Sequence, residues 1–226
     1  MRILGMADLH GRMERLIPIA GLDVDLIAFC GDLHNLGTPK EARQVARALA
    51  ELGAPVLIVP GNMDPKDFAI PLWEEEGLVV LHRRSHRIRD TGFVGMGGIV
   101  ARNPSRLGDH NRFYHRDDDV GPALLEAFSD IADCRRKVLL THQPPQGLLD
   151  MTYDGAVTGS RSLKWFIEEY KPDLHICGHI HEARGVAKLG PTTIVNVGEM
   201  RMGHSALIEM NGDIRVVWIG PGRQSY

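Results

Sequence analysis

The chain has 226 residues, 43% of them apolar, and a formal charge of −3 from 26 basic and 29 acidic side chains. Length and composition suit one globular domain, residues 1–226, with a sizeable core. The charge balance argues against the basic face that bulk nucleic-acid binding needs, no apolar run approaches the ~20 residues of a membrane helix, and no leader motif follows Met1, so a cytoplasmic protein outside the membrane is expected.

Residues 2–7 read as a strand, 12–20 as a short helix containing Pro18, and 26–30 as a second strand. Residues 40–52 read as a helix because Ala42, Val45, Ala46, Leu49 and Ala50 fall at helical spacing, with Gly53 and Pro55 to stop it. A third strand covers 55–59. This βαβαβ pattern implies a mostly parallel sheet. Strands are then expected at 78–81, 85–89 and 93–96, with Asp90-Thr91-Gly92 as a turn. Residues 101–120 show no clear element, and a loop that long is often functional. A helix at 122–133 leads to a strand at 137–141, a second long loop at 143–160, and a helix at 161–170 with Ser160 as N-cap. Strands follow at 174–178, 185–189, 192–197, 205–210 and 214–218, with Asn211-Gly212 as a hairpin turn. The expected product is two packed sheets with helices outside and a largely antiparallel second half.

Eleven histidines are many for this length, and four sit in short motifs after apolar runs. The motifs are Asp8-Leu9-His10, Gly31-Asp32, Gly61-Asn62-Met63-Asp64, Thr141-His142 and Gly178-His179-Ile180-His181. Singly, most such motifs are turns. Together they offer seven oxygen and nitrogen ligands at the carboxyl ends of strands, where open α/β sheets build sites. Mixed imidazole and carboxylate ligands suit Mn, Fe, Zn or Ni rather than Ca or Mg.

In this order the motifs resemble the calcineurin-like metallophosphoesterase family, which reads Asp-x-His, Gly-Asp, Gly-Asn-His-Asp/Glu, a later His and Gly-His-x-His. The resemblance spans about residues 1–200. It implies a four-layer α/β/β/α sandwich of two mixed sheets flanked by helices, with a dinuclear centre at the strand ends. It implies that Asp8, His10 and His181 hold one divalent ion, that Asn62, His142 and His179 hold the other, and that Asp32 bridges them. Manganese is the leading expectation, with nickel, iron and zinc as alternatives. The implied reaction is phosphoester hydrolysis by a hydroxide shared between two cations roughly 3.5–4 Å apart.

The family's Gly-Asn-His is Gly-Asn-Met here, and Met63 can neither donate a proton nor carry charge. Loss of a general acid costs roughly 100- to 10,000-fold, less for a good leaving group. A subgroup of small bacterial and archaeal phosphodiesterases also lacks this histidine, which points to a phosphodiester substrate. His34 is either a substitute acid or a solvated loop residue. Asp64 is placed to fix the loop, with a direct catalytic part as the alternative.

Substrate contacts are sought in the two long loops, at His110, Arg112, His115 and Tyr153, with Arg102, Arg106 and Arg116 nearby. Arg83, Arg84, Arg87 and Arg89 read as a solvated face. Asp117-Asp118-Asp119 reads as a solvated acidic turn, a cation site being the alternative. Asn196 and Gly198 are candidates to support the centre from behind. His82, His86, His175 and His204 are structural or surface residues, and Cys30 and Cys177 buried thiols. The expected partner is a small phosphorylated molecule, a phosphodiester or nucleotide rather than long nucleic acid, and C-terminal edge strands leave a homo-oligomer open. The competing class is a protein-binding scaffold with a weak or decayed centre, as in one trafficking relative of this fold; a decayed site would be free to lose ligands, and all seven are present.

Overall fold

The computed structural model describes residues 1–221. The first half runs β1 (Arg2–Met6), β2 (Leu26–Cys30), α1 (Pro39–Ala50), β3 (Val56–Val59), α2 (Ala69–Glu75), β4 (Val79–Val80), β5 (Arg84–Ile88), β6 (Thr91–Met96) and β7 (Ile99–Val100). The second half runs β8 (Tyr114–His115), α3 (Asp117–Ser129), β9 (Arg136–Thr141), α4 (Arg161–Tyr170), β10 (Leu174–Cys177), β11 (Gly185–Leu189), β12 (Thr192–Asn196), β13 (Ser205–Met210) and β14 (Ile214–Ile219).

One six-stranded sheet has the order β14-β13-β1-β2-β3-β4 and the other β11-β12-β10-β9-β6-β5. In the first, β1 to β4 are parallel and the C-terminal hairpin adds antiparallel to β1. In the second, β12, β10, β9 and β6 are parallel and only the edge strands β11 and β5 run against them. The second half is therefore less antiparallel than its short strands suggest. The crossovers through α3 and α4 carry the chain back, and parallel neighbours require such crossovers.

The side chains follow the two-residue period of strands. Ile3, Leu57, Phe93, Leu140, Ile176 and Val195 fill the space between the sheets. Leu4, Phe29 and Ile58 point the other way, onto Val45 and Leu49 of α1 and Trp73 of α2. Leu139 and Ile194 pack beneath Leu124 and Phe128 of α3 and Phe166 of α4. The result is the expected four-layer α/β/β/α sandwich. Among the described residues no helix is long and apolar enough to cross a membrane.

Helix starts follow their caps. Thr38 Oγ1 accepts from Glu41 N while Glu41 Oε2 accepts from Thr38 N, a capping box with Pro39 at the first position. Ser160 Oγ accepts from Leu163 N at 3.0 Å. Elsewhere the boundaries differ from expectation. Residues 12–20 form two 3-10 turns, not an α-helix, because Pro18 lacks an N–H and disfavours α geometry at Ile17. The helix expected from 122 starts at Asp117, with Pro122 inside it. Asp117–Asp119 are thus its first turn, where carboxylates meet the positive end of the helix dipole; Asp117 also accepts from Ser160 Oγ at 2.6 Å. Asp90 stays in the β5–β6 hairpin loop, but Thr91 and Gly92 belong to β6, and Arg89 takes the left-handed turn position at φ 55°. The short α2, which holds Pro71, was not expected.

Candidate metal centre

The five motifs leave the carboxyl ends of five parallel strands. Asp8 and His10 follow β1, Asp32 follows β2, Asn62 and Asp64 follow β3, His142 follows β9, and His179 and His181 follow β10. The first three strands belong to one sheet and the last two to the other, so the motifs meet where both sheets end. Backbone hydrogen bonds lash the turns together: Asp8 N to Gly31 O at 2.9 Å, His10 N to Asp32 O at 3.0 Å, and Gly178 N to His142 O at 3.0 Å.

The turns are tight enough to demand unusual backbone. Asp8, His10, Asp32 and His179 all have left-handed φ, at 57°, 49°, 53° and 66°. Such residues cost about 1–3 kcal/mol each and cluster at functional sites. Glycine makes room for them. A Cβ on Gly31 would lie 2.5 Å from His142 Nδ1, and one on Gly61 would lie 2.1 Å from Asp32 Oδ1.

The side chains converge. Asp8, His10 and His181 bring one ligand atom each within 4.8 Å of one another, and so do Asp8, Asp32 and His142. His181 Nε2 lies 3.2 Å and His10 Nε2 3.9 Å from Asp8 Oδ1. Asp32 Oδ2 lies between the groups, 3.9 Å from His10 Nε2 and 3.5 Å from His142 Nε2. Asn62 Oδ1 is 3.3 Å from His142 Nε2. The His179 ring stands 4.9 Å from the His142 ring, centroid to centroid. Asp8 belongs to both triplets.

A divalent cation fits this arrangement. Asp8 is wholly buried, and the nitrogens nearest its Oδ1, His181 Nε2 and His10 Nε2, lie at 3.2 and 3.9 Å. Burial of an uncompensated carboxylate is expensive. Burial would raise the Asp32 carboxyl, but His142 and His10 outweigh it and hold it at about 2. Burial would likewise depress His142, but Asp32 and Asp8 raise it to about 9. Protein charges alone thus balance here by placing a proton on the ligand nitrogen that faces Asp32. At His179 burial and the neighbouring His142 prevail, holding the ring neutral with a pKa of about 4.

A second layer orients the candidate ligands. His142 Nδ1 donates to Cys30 O at 2.7 Å, which turns Nε2 to the centre. Asp8 Oδ2 accepts from His179 N at 2.9 Å. Asp64, wholly buried, accepts from His34 N and Gly61 N, each at 2.8 Å, and so fixes the 61–64 turn against the 31–34 turn. Its burial, with Asp32 adding, lifts the carboxyl to about 7. Asn196 Nδ2 donates to Ile180 O, at 2.9 Å, between the two histidines of the last motif. Glu199 was not anticipated: its Oε2 lies 3.3 Å from His181 Nδ1 and is held by Arg201 Nη2 at 2.8 Å. Its one signal in the sequence is that it follows the end of a strand, as the ligands do.

The other candidates are placed differently. Met63 donates its N–H to Asp32 Oδ1 at 2.7 Å. His34 is buried, accepts from Gly37 N at its Nδ1, and lines a cavity of about 390 Å³ shared with His10. His115 bonds Gly97 O at 2.8 Å and stacks on His82, so its ring is engaged in packing; burial holds it neutral, at about 4. Arg112 sits 3.8 Å from Asp109, beside a different cavity with Phe68 and Asp67. His110 is exposed, and Tyr153 is 91% exposed. None of these four lies in the two ligand triplets. Arg84 and Arg87 pair with Glu74 and Asp133 on the surface. Cys30 and Cys177 are buried thiols whose Sγ donate to carbonyls, and burial pushes both pKa values up.

Known proteins resemble this chain. The family model described as calcineurin-like phosphoesterase matches residues 1–183. The human metallophosphoesterase domain-containing protein 1 is 40% identical over 229 residues, covering 86% of this chain and 65% of that protein. The glycerophosphodiester phosphodiesterase GpdQ of Enterobacter lignolyticus is 30% identical over 190 residues, 80% of this chain and 65% of its own. The crystal structure of the Thermus thermophilus protein TT1561 has the same fold, with a TM-score of 0.72 at 21% identity over 95% of this chain and 97% of that one.

Proposed function

The chain belongs to the calcineurin-like phosphoesterase family, and from that premise we propose that it is a phosphodiesterase working with two divalent transition-metal ions, manganese first and nickel, iron or zinc otherwise. The observation that carries this reading is the buried Asp8 carboxylate facing the Nε2 atoms of His181 and His10 where both sheets end. Once bound, such ions acidify a shared water and neutralise charge on phosphate oxygens. The chain's own part is to hold and aim. Asp8, His10 and His181 would hold one ion and Asn62, His142 and His179 the other, with Asp32 able to serve both. Cys30 O and Glu199 select which histidine nitrogens face inward.

The diester preference rests on Met63. Where a histidine would protonate or shield the leaving oxygen, this loop offers only a backbone N–H, already committed to Asp32. Substrates whose leaving group departs without a proton are served best. A named phosphodiesterase among the relatives agrees with that preference. His34 is the candidate substitute: with Nδ1 accepting from Gly37 N, a neutral ring carries its hydrogen on Nε2, and the residue lines a cavity that His10 also lines.

The test is metal-free protein reconstituted with Mn, Ni, Zn or Mg and assayed on bis(p-nitrophenyl) phosphate beside p-nitrophenyl phosphate. The expected result is two ions per chain and Mn- or Ni-dependent cleavage that favours the diester. Failure to bind any metal would refute the reading and leave the scaffold alternative standing.

A further inference from the structure

A cavity of about 290 Å³ adjoins the centre, with the ligand His179 and its neighbour Ile180 in its wall. The segment between β7 and β8 supplies Arg102, Arg106 and Tyr114, and Ile99 and Val100 add an apolar surface. The wall is built rather than loose. Arg102 Nη2 donates to Val157 O at 3.2 Å, tying this segment to the 143–160 loop. Gln143 Oε1 accepts from Val100 N at 2.8 Å, and its Nε2 donates to Thr158 O. Asn103 Oδ1 caps the 3-10 turn that carries Arg106.

Position sets these two arginines apart, because both line the cavity that His179 enters. Many other guanidinium groups of this acidic chain are paired: Arg43 with Glu75 and Glu76, Arg84 with Glu74, Arg87 with Asp133, Arg136 with Asp173, Arg161 with Asp117. Among the described residues Arg102 and Arg106 have no carboxylate within the 4.0 Å of an ion pair. Asp154 feels Arg102 only from beyond that distance, its carboxyl being lowered chiefly by the Thr152 hydroxyl. Two guanidinium forks without an ion-pair partner, beside an apolar wall and one cavity away from a phosphate-processing centre, have the chemistry of an anion subsite.

We propose that this cavity binds a second phosphate of the substrate, not the one hydrolysed, through Arg102 and Arg106, while Tyr114, Ile99 and Val100 pack against the group joining the two phosphates. The inference rests on the phosphodiesterase reading and narrows it. The substrate class becomes a small nucleotide diester that carries another phosphate on the same nucleoside. The volume suits one nucleoside-sized fragment and falls at the small end of ligand pockets.

Binding tests this separately from turnover. Manganese-loaded protein is titrated calorimetrically with thymidine 5′-monophosphate and with thymidine 3′,5′-bisphosphate. A charge-assisted hydrogen-bonded contact should make the bisphosphate at least ~10-fold tighter. In the double variant Arg102→Ala/Arg106→Ala that advantage should shrink to within ~2-fold, and Arg102→Lys/Arg106→Lys, which keeps charge but not the forks, should fall between. Circular dichroism melting checks that each variant folds. Equal affinity for the two nucleotides, binding of neither, or an advantage that survives the double alanine variant would overturn the proposal. Hydrolysis of bis(p-nitrophenyl) phosphate, which has no second phosphate, reports the phosphodiesterase reading by itself: cleavage without nucleotide discrimination removes only the subsite, and discrimination without cleavage of any ester removes only the activity.

Discussion

Replacing Asn196 with alanine removes three hydrogen bonds from one wholly buried side chain. Asn196 Nδ2 donates to Ile180 O at 2.9 Å and to Leu149 O at 3.3 Å, and its Oδ1 accepts from Gly198 N at 3.0 Å. A buried group left unpaired costs about 1–3 kcal/mol. Ile180 O and Gly198 N count in full, while the longer, part-buried Leu149 contact counts least. The sum is about 3–5 kcal/mol, a large share of the roughly 5–15 kcal/mol that keeps a domain folded. Urea unfolding of metal-free protein, followed by circular dichroism, measures it. A second effect separates support of the centre from simple stability. Ile180 stands between His179 and His181, so releasing its carbonyl should loosen both ligands and weaken manganese binding ~10- to 100-fold. Measured well below the unfolding midpoint, that loss cannot come from unfolded chains. Asn196→Asp keeps the acceptor for Gly198 but points a lone pair at Ile180 O, and should do no better than alanine. A variant that unfolds within ~1 kcal/mol of the parent and binds manganese equally well would refute the argument.

Glu199→Gln removes the negative charge beside His181 Nδ1 and the pair with Arg201; manganese affinity measured by calorimetry should fall ~10-fold with little change in melting temperature. Gly61→Ala would set a Cβ 2.1 Å from Asp32 Oδ1 and 2.4 Å from its backbone nitrogen; metal analysis after purification should show the centre depleted, and two retained ions would contradict the packing. Met63→His should raise turnover of esters with poor leaving groups by a factor on the order of 100 or more, and scarcely affect p-nitrophenyl esters. Stability of the metal-free protein should fall in mild acid. Burial holds His175 at about 3, burial with help from His115 holds His82 at about 3, and burial holds His115 at about 4, whereas in the unfolded chain each protonates near ~6.5. Their contribution is complete above pH ~6.5 and drains as pH falls toward the folded values, at up to ~1.4 kcal/mol per unit each. Asp64, raised to about 7, opposes them, and His142 at about 9 and His179 at about 4 nearly cancel each other, leaving a net loss of ~2 kcal/mol of unfolding free energy between pH 7.5 and 5.5, read from urea unfolding; unchanged or rising stability would be inconsistent with neutral buried rings.

The parts legible in the sequence were those governed by local rules. The spacing of Ala42, Val45, Ala46 and Leu49 faithfully reports the buried face of α1, and Ser160 marks the start of α4. All five motifs lie at strand ends because a short apolar run followed by glycine or a polar residue is what a buried parallel strand and its exit look like. What depended on distant partners was hidden. The parallel pairing of β6, β9 and β10 hangs on crossovers whose long loops mask the βαβ rhythm. Glu199 meets His181 only after β11 and β12 have turned the chain back. In the 101–120 segment the arginine-rich composition was visible, but side-chain direction was not: Arg102 and Arg106 reach the cavity beside His179, whereas His115 turns inward onto Gly97 and His82. Pro122 misplaced the start of α3 because proline usually opens helices, and here Asp117 does so instead.

Backbone strain bears on whether the centre is a working one. Asp8, His10, Asp32 and His179 hold left-handed φ, at about 1–3 kcal/mol each, so together they cost an amount comparable with the net stability of a whole domain. That cost is offset by strands buried on both faces and by the lashings between turns, such as Asp8 N to Gly31 O. A surface that only docks a partner gains nothing from these four turns. Relaxing any one of them would stabilise such a protein, and nothing would oppose the substitution of Gly31 or Gly61 that relaxation permits. A centre that must present several ligands to one point does gain, because ligands held in place before the ion arrives lose little freedom when it binds. Strain retained at four candidate ligand positions, around a wholly buried Asp8 carboxylate, therefore favours a protein that holds metal over one that has given it up.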